Sequence, residues 1–160
     1  MGHVVAHDFN KIHLAELRPQ ERSSPPVRTS EVYVLFTSVH ETLAALRIAK
    51  ALASALCVPL TLVHLRTVPY SDRIEGPAGT SPLETDAFAR CLRAQGLEVR
   101  VRVYWCRSAR RAIPQAFGPH SLVLIGGRRR WWPGRSDRLR QALEAAGHFV
   151  VFVDEGQHAA

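Results

Sequence analysis

The sequence predicts an α/β domain: a parallel sheet with helices on both faces, a three-layer sandwich. Three observations lead there. From Glu31 onward, short apolar runs alternate strictly with amphipathic helical segments, in the order β-α-β-α-β-α-β-α-β. Most of the runs are apolar throughout, as strands covered on both faces require. Capping or turn residues separate each run from the next.

Residues 31–36 form the first strand. Ser38-Val39-His40-Glu41 has the S-x-x-E pattern that satisfies orphan amides at a helix start. Leu43, Leu46, Ile48, Ala49, Leu52, Ala53 and Leu56 follow at helical spacing, and Pro59 is expected to end that helix. Residues 60–65 make the second strand, with His64 as a core histidine. Residues 69–81, rich in proline, glycine and small polar residues, read as a loop. Ser81-Pro82-Leu83-Glu84 opens a second helix that runs to about Gln95, and Gly96 suits the position just past its end.

Residues 97–105 alternate apolar and polar, which predicts a strand with one wetter face at a sheet edge. A short third helix starts at Ser108, is interrupted by Pro114 and is stopped by Gly118-Pro119. Residues 121–125 are the fourth strand, leading into a turn at Gly126-Gly127. A helix follows over about 135–146, and His148 to Val153 is the last strand.

Residues 1–30 differ from the rest. Their polar, proline-rich stretch from Arg18 to Pro26 predicts an arm and linker, partly disordered, ahead of a domain over 31–160. A short helix over about residues 10–17 is compatible with the pattern. His3 and His7 stand four apart at the terminus, which does not define a metal site.

Composition bounds the function. With 46% hydrophobic and 22% charged residues, the chain is of ordinary globular type and long enough to need neither metal nor disulfide. Cys57, Cys91 and Cys106 are odd in number and widely spaced, so they read as small buried hydrophobes in a reducing compartment. Polar residues interrupt every apolar run of the first twenty, unlike a signal peptide, and no apolar stretch approaches the ~18 residues of a membrane span. A cytoplasmic protein without membrane association is expected.

The charge is local. Residues 97–160 hold eleven arginines against five acids, which accounts for six of the net +7. Arginine suits phosphate and carboxylate recognition, so an anionic ligand or partner is the class to test.

The pattern of residues 31–154 resembles the universal stress protein family. The resemblance rests on VYVLFTSVHETLAALRIAKALASAL, on LTLVHLRTVP and on LVLIGGRRRWWPGRSDRLRQALEAAGHFVVFV. It implies a five-stranded parallel sheet of order 3-2-1-4-5, with a crevice between the loops after strands one and four. It also implies a homodimer made through the last strand, His148 to Val153, whose edge would otherwise be exposed. Nucleotide-binding members close strand one with an Asp and follow strand four with glycines that cradle phosphates. Here strand one ends Thr37-Ser38-Val39-His40, without an Asp. Arginine, at Arg129 or Arg130, takes the place of the second glycine, adding bulk where a triphosphate would lie.

The candidate site is therefore Ser38, His40, Gly126, Gly127, Arg128, Arg130, Gly134 and Ser136. Within it, Arg128-Arg129-Arg130-Trp131-Trp132 fits three uses: holding a phosphorylated small molecule, gripping nucleic acid, or packing against a partner chain. No acid stands behind His40, and neither G-x-S-x-G nor G-x-G-x-x-G occurs where catalysis or dinucleotide binding would need it. The expectation is a non-enzymatic, dimeric binding or regulatory protein with a degenerate nucleotide site and no cofactor. Retained binding of ATP or another adenine nucleotide is the first alternative, and a nucleic-acid accessory protein is the second.

Overall fold

A computed structural model describes residues 5–8, 31–71, 92–93, 96–128 and 134–154. It contains strands β1 (Val5–Asp8), β2 (Val32–Leu35), β3 (Leu60–Thr67), β4 (Arg100–Cys106), β5 (Leu122–Gly127) and β6 (Phe149–Asp154). The helices are α1 (Val39–Leu56), α2 (Ala109–Ala116) and α3 (Arg135–Ala145). The expected helix over 81–95 falls outside the described residues except for Leu92 and Arg93, which are helical. The expected helix near 10–17, most of the 69–81 loop and Cys91 also fall outside them.

The sheet order is β1-β4-β3-β2-β5-β6. The five strands from β2 onward are mutually parallel, and numbered among themselves they give 3-2-1-4-5, as expected. β1 is an addition. It pairs antiparallel with β4, Val5 opposite Trp105 through Asp8 opposite Arg102. This corrects the edge position expected for 97–105, because β1 takes up the outer side of β4. Its alternating polarity has another source: Arg100 and Arg102 lie beside a shared acid.

That acid is Glu31, only 12% exposed at its side chain. Its carboxylate accepts hydrogen bonds from the Tyr33 hydroxyl at 2.6 Å and from the Thr61 hydroxyl. The guanidiniums of Arg100 and Arg102 lie 3.5 and 3.9 Å away. The network ties β2, β3 and β4 together at the start of the sheet. Burial, and then the Glu31 carboxylate, pushes the Tyr33 phenol above its ordinary range.

Side-chain alternation divides the core. Val32, Val34, Leu60, Leu62 and Leu124 face Ala45, Leu46, Ala49 and Ala53 of α1. Tyr33, Leu35, Val63, Leu65, Val123 and Ile125 face Ala112, Ile113, Leu139 and Leu143 of α2 and α3. Small residues on α1 let it lie close to the sheet. Each fully buried Leu or Ile contributes roughly 1.5–3 kcal/mol, so these two layers supply most of the driving force.

Two helix ends differ from expectation. α1 stops before Pro59, because Cys57 adopts a left-handed conformation (φ 53°) and the Val58 amide donates back to the Ala53 carbonyl at 3.0 Å. Cys57 is consequently exposed, whereas Cys106 is buried as foreseen. α2 continues through Pro114 to Ala116, with Ala112, Ile113 and Ala116 buried; tertiary packing outweighs the single hydrogen bond the proline cannot donate.

Candidate functional site

From β2 the chain winds one way to β3 and β4 and, after returning, the other way to β5 and β6. The switch point therefore lies between the carboxyl ends of β2 and β5, where open α/β sheets place their ligands. Residues 37–41 and 126–127 meet there.

Gly126 and Gly127 belong to β5 rather than to a turn, pairing with Val153 and Asp154 of β6. Both are buried. A Cβ on Gly126 would stand 1.9 Å from the backbone oxygen of Glu41, in the first turn of α1. One on Gly127 would stand 2.7 Å from the Phe152 ring and 3.0 Å from the Ser136 hydroxyl oxygen. The Thr37 hydroxyl donates to the Gly126 carbonyl at 3.0 Å, and the Thr37 amide donates to the buried Thr42 hydroxyl at 3.2 Å. The two glycines thus accommodate a helix backbone and a side chain. Crowding comes from Glu41, Phe152 and Ser136, where the sequence pointed to guanidiniums.

Ser38 serves α1. Its hydroxyl accepts the Glu41 amide at 3.4 Å and donates to the Glu41 carboxylate at 2.9 Å, a local variant of the expected capping box. His40 is exposed in the first turn of the same helix. At the start of α3, the Gly134 amide donates to the Asp137 carboxylate at 2.9 Å. That acid occupies the electropositive end of the helix which a phosphate would otherwise use. Arg128 is exposed at the end of β5, while Arg130, with Arg129, Trp131 and Trp132, falls outside the described residues. Of the expected site, then, the structure joins Gly127 to Ser136 directly. It places Ser38 and His40 on the opposite side of Gly126, along α1.

Two histidines are neutral by environment. The His64 ring stacks on Phe36 with centroids 4.3 Å apart, and burial, then the charges of Arg66 and Arg135, holds it down to about 4. His148 is buried and accepts the Ser121 amide at Nδ1, 3.3 Å away; burial, then His120, lowers it as well. Beside His64 on the sheet, the Arg66 guanidinium lies over the Trp105 ring at 5.0 Å.

The open space lies on the α2 and α3 side of the sheet and reaches Gly134 of the expected site. A groove of about 700 Å³ runs between α2 and α3 on the face opposite α1, lined by Thr67, Ser108, Arg110, Arg135, Arg138 and Gln141 over an apolar floor. Sequence reasoning missed it. The available signal was the arginine excess after residue 97, with Arg135 and Arg138 three apart on one helix. A second groove, about 800 Å³, lies at the other end of the sheet beside Lys50, Cys57 and Arg93. Among the described residues no cluster of His, Cys, Asp or Glu could hold a metal ion, and no helix is long and apolar enough to cross a membrane.

Strand order and winding define a doubly wound α/β protein with its switch point packed shut on the α1 side. A crystal structure of a protein from the universal stress protein family of Burkholderia pseudomallei is similar to this chain. It is 16% identical, with a TM-score of 0.47, over 81% of this chain and 98% of that one. No family model matches the sequence, and no curated protein matches it.

Proposed function

We propose that this chain is a universal-stress-type protein of the cytoplasm that acts by binding, as a homodimer, without catalysis and without a nucleotide in its switch-point crevice. The observation that carries this reading is the approach of Gly126 to the Glu41 carbonyl, which leaves no room for a phosphate between β5 and α1. The missing Asp after strand one and the local commitment of the Ser38 hydroxyl support it.

Dimerisation has its own physical motive. Among the described residues β6 ends the sheet, with Phe149 60% and Val151 38% exposed beside its outer edge. An apolar edge of this kind is removed from water by pairing with a second copy about a two-fold axis. Light scattering is expected to give twice the 17.8 kDa of the chain, and Val150→Pro, which removes an outward-facing edge amide, to give the monomer. A wild-type mass of 17.8 kDa at micromolar concentration rejects the dimer.

The crevice is tested separately by amide NMR shifts at Thr37, Gly126 and Gly127 during ATP addition. No movement is expected; saturable movement of those amides would establish the adenine-nucleotide alternative instead.

A further inference from the structure

β1 is the most lightly attached of the described strands. It is four residues long, antiparallel to its neighbour, and paired on one side only, with residues 102–105 of the seven-residue β4. Residues 9–30, enough chain to reach across tens of ångströms, separate it from Glu31 at the head of β2. At the other edge, β6 has six residues and follows α3 after residues 146–148. A four-residue ladder exchanges its hydrogen bonds for those of water and must still offset the ordering of the chain that makes it. Such a strand stands at the low end of local stability, and its release bares the outer amides and carbonyls of β4.

The surface it covers has a definite chemistry. On one face of the sheet stand Val103, buried, and Trp105, whose ring centre lies 5.0 Å from the Arg66 guanidinium. On the other face Arg100 and Arg102 share the carboxylate of Glu31, so among the described residues two guanidiniums meet one acid there. A segment paired antiparallel along this edge places an apolar residue opposite Trp105 and, three positions later, an acid opposite Arg102. Val5 and Asp8 hold those two positions in β1. From the short one-sided ladder, the long connection and this charge pattern, we infer that the outer edge of β4 is a docking site for an extended, acid-bearing peptide segment of a partner protein, and that β1 is the built-in occupant it displaces. Backbone pairing supplies the affinity and the two register positions the selectivity. The edge lies across the sheet from β6 and apart from the switch point, so the inference stands or falls independently of the dimer and of the crevice.

The probe is a fluorescein-labelled peptide of residues 3–10, added to the full-length protein and followed by anisotropy. Of two consecutive amides in a strand, one faces the neighbour, so Ala6→Pro with His7→Pro removes β1 from the ladder. This double variant should bind the peptide saturably and about tenfold or more tightly than the wild type, in which β1 competes. Full-length Asp8→Lys, which keeps every backbone amide, should shift the affinity in the same direction by less. A peptide carrying Asp8→Lys should bind the double variant about fivefold more weakly, and a scrambled peptide should not bind. Amide exchange over residues 102–105 should quicken in the double variant and slow again when the peptide is added. Three results overturn the inference: no saturable binding to either variant, equal affinity of the wild type and both variants, or equal binding of the native and scrambled peptides.

Discussion

Gly126 lies so close to Glu41 that a single added methyl would sit 1.9 Å from the Glu41 carbonyl oxygen. The obstacle is helix backbone, which cannot swing aside. Gly126→Ala is therefore expected to destabilise the protein by about 1–3 kcal/mol in urea unfolding. At Gly127 the obstacle is chiefly the Phe152 ring, which can move or be trimmed. Gly127→Ala should be substantially rescued by Phe152→Leu, and Gly126→Ala should not. Equal rescue of both would mean that α1 does not seal the end of β5.

Acid should weaken the fold through its histidines. The folded value of His64, about 4, lies below the ordinary 6.5, so the unfolded chain binds the proton more readily. Its contribution is complete above pH 6.5 and is lost as the pH falls from there through about 4, with an upper limit of about 3 kcal/mol. His148, also lowered, acts with the same sign from the same upper bound. Unfolding free energy measured from pH 7 to 4 should fall less steeply in His64→Leu than in the wild type; parallel curves would remove His64 from the account.

Glu31 gathers two hydroxyls and two guanidiniums while largely removed from water. Glu31→Ala leaves these partners unsatisfied and should cost about 2–4 kcal/mol. Glu31→Gln keeps an acceptor oxygen and should cost less. In the Gln variant the Tyr33 phenol should also titrate at lower pH, followed by ultraviolet absorbance, because the negative neighbour is gone. An unshifted phenol would mean that Glu31 does not act on it.

Alkylation of the native protein should label Cys57 well before Cys106. Cys57 is exposed at the end of α1, whereas Cys106 is buried, its Sγ 3.6 Å from the Arg66 carbonyl, and its thiol is pushed up by burial. Mass mapping after a brief iodoacetamide pulse checks the order. Comparable labelling of both would show that β4 opens at its end.

Removing residues 1–8 should expose the outer side of β4. Amide exchange over residues 102–105 is then expected to accelerate, and the truncated protein to self-associate through that edge. Unchanged exchange would mean that β1 contributes no protection.

Local pattern by itself determined the strands and helices described between Val32 and Asp154, in their order, and the Ser38 cap. These features depend on neighbours a few residues apart, whose periodicity is written in the chain. The strand order needed more, the resemblance to a family, and the sheet reproduces it. Only the tertiary structure decided that Val5–Asp8 covers β4, since a four-residue strand carries too little pattern to announce a partner about a hundred residues away. It alone decided what the glycines are for. A Gly-Gly pair is compatible with a phosphate, a turn or a close helix, and the choice was made by Glu41, 85 residues earlier in the chain. The arginine-lined groove was likewise invisible, because Arg110 and Arg138 become neighbours only when α2 and α3 pack side by side on the sheet.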